Sequence, residues 1–371
     1  METITIPSKQ SVSSIHWKQL SSLAALYASV MIGWIAYYRY QPKLLTTFNF
    51  TDFAFFLIVA QGIILIVTPP IAGKIGDRYR FTKGHRLPII SAGMSFAAMI
   101  FMAVAFTLIS NPGELLRWLL PVLIIFWLLG MSIFTSPALS TVELFAPVDK
   151  LPYAVAILTI VSNLVNALEP VIVDIIDYIG APATFIVGGT VVFLSGYALK
   201  KNSLGLFKNN ESEAPQENTS KKSRYGFIVV MGMCLGVATA VLFNFFPERL
   251  ELVMGSLFNG ANGNFMIALI LILAAILSLP LSNWVGNVGL ERAFWWSAAA
   301  ALVSAAGILL INATIFVLLF TIIFSIAFAS LAVTSLPLVI RESSFKEKVF
   351  CVGIFYSAVA LPDSIVDIIQ F

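Results

Sequence analysis

The chain has 371 residues, of which 59% are hydrophobic and only 11% are charged, and its mean hydropathy is +0.92. Soluble domains are about half apolar, so this composition indicates an integral membrane protein. The net charge of +3 gives no support to a nucleic-acid-binding function. The two cysteines both lie within apolar runs, which argues against a structural disulfide or a metal site.

Apolar runs of about 20 residues recur along the chain, and this is the length that an α-helix needs to cross a bilayer. They predict an all-α polytopic protein with eleven membrane-spanning helices, the first of them an uncleaved helix and not a signal peptide. The predicted spans are residues 19–41, 53–74, 87–109, 116–140, 151–172, 182–199, 225–246, 263–285, 293–312, 314–338 and 349–369.

The polar segment 200–224 is rich in Asn, Ser, Lys and Glu, which predicts a disordered cytoplasmic linker. It separates six predicted helices in residues 1–199 from five in residues 225–371. Short motifs recur in the same order in both parts, 199 to 210 residues apart, such as "YRYQPKLL" with "FNFFPERL" and "PPIAGKIGD" with "PLSNWVGN". We therefore expect two parallel helical repeats, six helices followed by five, with the twelfth lacking.

Basic residues set the expected orientation. With a cytoplasmic N-terminus, 18 Lys and Arg residues face the cytoplasm and 4 face the outside, which satisfies the positive-inside rule. We predict a multi-pass protein of the cytoplasmic (inner) membrane whose N-terminus is cytoplasmic. Eleven crossings then place the C-terminus on the opposite side.

The segment "PPIAGKIGDRYRFTKGHRLP", residues 69–88, concentrates charge between the second and third predicted helices. Gly73 allows two helices to approach closely, and Asp77 at a helix end can pair with cations of a neighbouring helix. Such a pair could hold one conformation closed. The alternative is that the basic residues only anchor the topology, which we favour for Lys83 and His85.

The spacing Gly73-x-x-x-Asp77-Arg78 resembles the signature loop of the major facilitator superfamily. The run Asp77-Arg78-x-Arg80 and Gly84-x-Arg86-x-Pro88 is similar to a run in the glycoside-pentoside-hexuronide cation symporters and the related sucrose transporters. Glu143 and Pro147, after the fourth helix, are similar to the acidic residue and the proline that those groups carry there. The resemblance implies two parallel halves and a gating loop that keeps the cytoplasmic side closed while the protein faces outward. The gating residues would be Gly73, Asp77, Arg78, Arg80, Arg86 and Glu143.

Two polar stretches are candidates for cargo binding. The end of the first helix offers Tyr37, Tyr38, Arg39 and Gln41, whose rings and donors suit a sugar or a carboxylate. The alternative is an outer aromatic belt with a snorkelling arginine. The fifth helix carries Asn163, Asn166 and Glu169 along one side, facing either a pore or another helix.

Glu169 and Asp363 are the candidate proton carriers, because each lies beside a proline within an apolar helix and away from the cytoplasmic ends. The alternative is that both simply lie near the outer surface. Pro69 occupies the position at which melibiose-type symporters carry an aspartate for their coupling cation. The resemblance therefore favours protons over sodium as the coupling ion.

These observations predict a secondary transporter that works by alternating access, with sugar or glycoside symport driven by protons. We expect a monomer in the lipid bilayer that binds a small-molecule substrate, uses no cofactor or metal, binds no nucleic acid and is not an enzyme. Three alternatives remain: a drug or metabolite facilitator, an organic-anion facilitator in which Arg39 binds the anion, and a truncated, non-transporting membrane sensor or scaffold.

Overall fold

The computed structural model describes residues 14–47, 50, 53–110, 118–211, 222–258, 260 and 262–370. Across these residues the chain is helical and contains no strand. The helices are α1 Trp17–Thr47, α2 Ala54–Lys83, α3 Leu87–Ser110, α4 Leu119–Leu139, α5 Val142–Phe145, α6 Leu151–Ala167, α7 Glu169–Ile179, α8 Ala181–Glu211, α9 Tyr225–Ala240, α10 Phe246–Met254, α11 Gly263–Val288, α12 Leu290–Leu310, α13 Thr314–Glu342 and α14 Lys348–Gln370.

Eleven stretches of the described chain are long and apolar enough to cross a membrane, which confirms the predicted number. Two of them combine neighbouring helices, α4 with α5 and α9 with α10. Large apolar side chains are also exposed along the outer faces of the helices, among them Phe106, Leu302 and Ile315. Such exposure is favourable in lipid, so the chain is a multi-pass membrane protein.

The sixth predicted helix is longer than its apolar run. It continues as α8 to Glu211, so the first part of the segment that we assigned to a disordered linker is helical. Within this extension Phe207 is fully buried, and its ring packs against that of Phe145. Tertiary packing therefore continues the helix beyond its apolar run, and apolar periodicity alone placed the end too early. Residues 212–221 of the predicted linker lie outside the described residues.

Two predicted helices are interrupted near prolines. The fifth was predicted as continuous over 151–172, but it divides at Leu168 into α6 and α7, two residues before Pro170. The seventh contains a π-helical turn, Val241–Phe245, just before Pro247. Proline cannot donate to the carbonyl four residues earlier, and the helix changes its geometry where that bond is lost.

We refer to helices α1–α8 as the first half and to α9–α14 as the second. The halves meet along two seams, in which α2 packs on α14 and α6 packs on α11. Because successive helices run in opposite directions, residues 77–88 lie at one end of the molecule, and we call it the signature-loop end. Arg39 and Asp177 lie at the other end, which we call the cavity end.

Candidate functional site: a closed contact and an acidic cavity

Asp77 joins the two halves at the signature-loop end. Its carboxylate accepts hydrogen bonds from the backbone N–H groups of Val349, at 3.2 Å, and Phe350, at 2.9 Å. These N–H groups belong to the first turn of α14, where a helix has no internal acceptors for them and carries its positive dipole end. A residue of the first half thus caps a helix of the second.

Glu143 makes a second connection between the halves. Arg86, fully buried, donates from Nη2 to Glu143 Oε1 at 2.7 Å and from Nη1 to Ser140 Oγ at 2.8 Å. The other oxygen of Glu143 accepts a hydrogen bond from Lys348 Nζ at the start of α14. A buried carboxylate needs such partners, so Arg86 positions Glu143 and Lys348 carries the contact across to the second half. We call the contacts of Asp77 and of Glu143 with α14 the latch.

Close backbone approach accompanies the latch. A Cβ atom built on Gly73 would lie 2.5 Å from the carbonyl oxygen of Val349 and 2.7 Å from Cα of Phe350. On the facing helix, a Cβ on Gly353 would overlap the carbonyl oxygen of Pro69. Only glycine fits at either position, because α2 and α14 are in direct backbone contact there.

A proline in α2 supplies a further bond between the halves. Pro70 has no N–H to donate to the carbonyl of Ile66, four residues earlier in the helix. Ser357 Oγ of α14 donates to that carbonyl at 2.6 Å. The acceptor that the proline leaves free within α2 is therefore satisfied from the second half.

The remaining arginines of the signature loop differ in their contacts. Arg80 is buried and donates to the carbonyl oxygen of Phe345 at 3.1 Å. Its guanidinium also lies 4.1 Å from the centre of the Phe345 ring. Arg78 is exposed, and its side chain makes no hydrogen bond or ion pair with the described residues. The structure thus places Arg80 in the contact between the halves and Arg78 outside it.

A cavity lies between the halves and opens toward the end of the molecule that carries Arg39 and Asp177. It consists of two adjoining recesses of about 500 and about 480 Å³, which share Ile35, Tyr38, Asn166, Glu169 and Phe243. This size is in the range of drug-sized ligand pockets. The deeper recess is lined in addition by Trp34, Ser132, Thr135, Thr239, Asn244, Tyr356, Asp363 and Asp367, among others.

Three carboxylates line the cavity. Glu169 begins α7 and comes from the first half, whereas Asp363 and Asp367 lie one turn apart on α14. Asn244, which lies within the π-helical turn, donates from Nδ2 to Asp363 Oδ1 at 2.9 Å. Among the described residues, no lysine, arginine or histidine forms an ion pair with any of the three.

The residues predicted to bind cargo are only partly brought together. Tyr38 and Asn166 line the cavity, but Tyr37 and Gln41 face a separate, small recess within the first half. Tyr37 is 5% exposed, donates to Gln61 Oε1 at 2.8 Å and stacks on Trp127. Asn163 is buried and is not among the residues that line the cavity.

Arg39 lies at the mouth of the cavity but is already paired. Its Nε donates to both oxygens of Asp177 at 3.1 Å, and Lys43 Nζ donates to the same carboxylate at 3.0 Å. These hydrogen bonds, with the two positive charges, lower the pKa of Asp177 to about 2. The pair is exposed and stays within the first half, so it does not close the cavity.

Sequence reasoning missed two residues of this arrangement. Lys348 was counted only among the basic residues of the predicted cytoplasmic side. Asp367 belongs to the five-residue motif "IVDII", which occurs once in each half. The motif occurs at residues 172–176 and 365–369, yet Asp367 lines the cavity and Asp174 does not. Sequence alone offers no signal that separates the two.

Comparison with known proteins identifies the family. Residues 23–365 match the model of the Major Facilitator Superfamily, so the chain belongs to that superfamily, as its signature loop indicated. It is a multi-pass membrane transport protein with a fold suited to alternating access. No curated protein sequence matches the chain.

Solved structures share the fold at low sequence identity. A bacterial homologue of the iron transporter ferroportin, in an outward-facing state with soaked iron, has a TM-score of 0.63 at 15% identity and covers 94% of this chain and 90% of its own. A proton:xylose symporter gives 0.56 at 13%, with 94% and 88% covered. A bacterial homologue of the human lysosomal transporter Spinster, inward-facing and unoccupied, gives 0.53 at 14%, with 95% and 81% covered.

Proposed function

We propose that the protein is a secondary transporter that works by alternating access, in the cytoplasmic membrane and as a monomer. One observation carries the proposal: the two halves are latched together at the signature-loop end, while an acidic cavity between them opens at the other end. The excess of basic residues supports a cytoplasmic location for the signature-loop end. The structure then corresponds to an outward-open state.

The transition to an inward-open state requires the latch to break. The N–H groups of Val349 and Phe350 would then be exposed to water, and Lys348 would separate from Glu143. Water can hydrogen-bond all of these groups once they separate. The free-energy cost of opening is therefore only the small difference between their hydrogen bonds to protein and their hydrogen bonds to water. Contacts of this kind stabilise one conformation and still allow a reversible transition to the other.

We propose that a proton is carried on the cavity carboxylates, with Glu169 as the principal carrier and Asp363 as the second. Glu169 accepts no hydrogen bond from a described residue, whereas Asp363 is held by Asn244. A carboxylate without partners is free to exchange a proton with water when the cavity is open and to keep it when the cavity is closed. Protons and cargo would move together.

A sugar or glycoside is the cargo that the narrower family resemblance supports. The rings of Trp34 and Tyr38 could stack on a sugar, and Asn166 with the hydroxyls of the deeper recess could bond its hydroxyl groups. An organic anion is disfavoured, because Arg39 is paired with Asp177 and the cavity itself is acidic.

The proposal is tested in proteoliposomes with labelled sugars, carboxylates and organic cations, with and without a pH gradient. Accumulation that depends on the gradient would support coupled transport. In parallel, spin labels across each end of the molecule should report distances that change in opposite directions. A protein that moves none of the panel and shows one fixed pair of distances would instead be a sensor or scaffold.

We expect Glu169→Gln to abolish accumulation driven by a pH gradient and to spare exchange of cargo across the membrane. The amide cannot carry a proton, yet it preserves the shape of the cavity wall. Asp363→Asn should have the milder effect, because Asp363 already has a hydrogen-bond partner. Uptake is measured with the gradient imposed and then with the same cargo on both sides and no gradient.

Asp174→Asn is the matched control, since Asp174 lies on the same helix as Glu169 but does not line the cavity. Gradient-driven uptake that survives Glu169→Gln and Asp363→Asn together would contradict the coupling role and indicate an uncoupled facilitator.

A further inference from the structure

We propose that the deeper recess of the cavity is a binding site for an organic cation, an amine or quaternary ammonium compound with an apolar or aromatic body. The inference rests on the proposed function, because it names the class of cargo that the cavity would accept. It departs from the sugar cargo that the family resemblance supports.

The charge of the recess is the first observation. Asp363 and Asp367 face it from adjacent turns of α14, and Glu169 faces it from α7. Among the described residues none of these carboxylates has an ion-pair partner, and the one arginine of the cavity wall, Arg39, is neutralised by Asp177. Uncompensated negative charge in a partly desolvated cavity attracts a cation strongly and repels an anion.

The rings of the recess are the second observation. Trp34 and Tyr38 of the first half and Phe243 and Tyr356 of the second line the same space as the carboxylates. Aromatic faces attract ammonium groups through the ring quadrupole and also cover the apolar part of a ligand. Rings beside carboxylates are therefore complementary to an organic cation in both charge and shape, and a bare inorganic ion would use only the carboxylates.

An unsatisfied hydroxyl is the third observation. Ser132 Oγ is on a residue only 4% exposed, has no hydrogen-bond partner among the described residues, and lines the recess. A buried polar group without a partner is costly, and a protonated amine would remove that cost by donating an N–H group to it, which a quaternary ammonium compound cannot do. A metal ion is not the better occupant, because the described residues form no group of three or more His, Cys, Asp or Glu with metal-binding geometry.

The test uses the full chain in detergent and benzyltrimethylammonium as the probe. Its charge is permanent, so binding does not depend on protonation of the probe. The comparison ligands are benzyl tert-butyl ether, which is neutral and carries the same benzyl group and a similar branched group joined through an ether oxygen, and benzoate, an anion. Affinity is measured by calorimetry, and thermal unfolding without ligand shows whether each variant is folded.

We expect the cation to bind at least about tenfold more tightly than the ether, and benzoate not to bind measurably. Asp367→Asn and Asp363→Asn should each weaken cation binding by about tenfold or more, since a charge within several ångströms is lost from a poorly solvated site. Asp174→Asn, a change in the same "IVDII" motif but outside the recess, should alter it by less than about threefold. Asp367→Glu keeps the charge and should largely keep the affinity.

Equal binding of the cation and the ether would overturn the proposal, as would an equal loss in Asp174→Asn and Asp367→Asn. Binding of a methyl glucoside in place of the cation would also overturn it, and would leave the proposed transport function intact. Failure of the transport function itself is seen separately, because the distance changes between the halves are measured without any cargo.

Discussion

Asp77→Asn is expected to lower transport at least about tenfold while expression and thermal stability change little. The carboxylate accepts two hydrogen bonds from the first turn of α14, and hydrogen bonds to a charged group contribute about 1.5–3 kcal/mol. The amide keeps one acceptor, directs an NH₂ group at a helix N-terminus and loses the favourable interaction with the dipole. Since 1.4 kcal/mol is a factor of ten in an equilibrium, the latched state loses most of its advantage.

The measurement is the distance between labels on Lys83 and Lys346, two exposed residues on opposite halves of the signature-loop end. The native cysteines, Cys234 and Cys351, are replaced first. We expect a single short distance in the parent and a mixture of short and long distances in Asp77→Asn. Uptake into proteoliposomes from the same preparations gives the effect on transport.

Arg78→Ala is the control for this experiment. The signature-loop resemblance gave Arg78 a gating role beside Asp77, but its side chain is exposed and makes no hydrogen bond or ion pair with the described residues. Removal of its charge should therefore change neither the label distances nor the rate of uptake appreciably. The gating role of Asp77 would be refuted if its asparagine variant behaved in the same way as this control.

Gly73→Ala is expected to destabilise the closed state more than Asp77→Asn does. The added Cβ would lie 2.5 Å from the carbonyl oxygen of Val349, whereas carbon contacts are optimal at about 3.5–4.0 Å. The obstruction is helix backbone, which cannot turn aside as a flexible side chain would. The two helices must separate by roughly an ångström, and this separation also lengthens the bonds of Asp77 and Ser357, because all of them cross the same seam.

We expect the short label distance to disappear in Gly73→Ala and uptake to fall more than in Asp77→Asn. Gly286→Ala is the matched control, since Gly286 lies in the corresponding motif of the second half and a Cβ there would meet no atom within 4 Å. Alanine is the better helix former, so this control should be as stable as the parent or slightly more stable. Intact latching in Gly73→Ala would show that the two helices do not close as tightly as the structure describes.

The sequence could predict the helices because burial in lipid depends on composition over a window of about 20 residues. The same reasoning located the prolines and the charged signature loop, and the resemblance named Asp77, Arg86 and Glu143. The sequence could not predict the break at Leu168 or the π-helical turn at Val241–Phe245. The response of a helix to a proline depends on which hydrogen-bond partners the neighbouring helices supply to the backbone carbonyls that the proline leaves free.

What the sequence by itself determined, then, is an all-helical membrane protein with a charged signature loop, motifs that recur in its two parts, and polar residues on its first, fifth and eleventh spanning helices. Tertiary structure decided which of those residues meet. Adjacent residues in a helix point about 100° apart, so Tyr38 faces the cavity and Tyr37 packs within the first half. Identical motifs place Asp367 in the cavity and Asp174 outside it, because only the packing of α14 against α2 determines which face of that helix is left open.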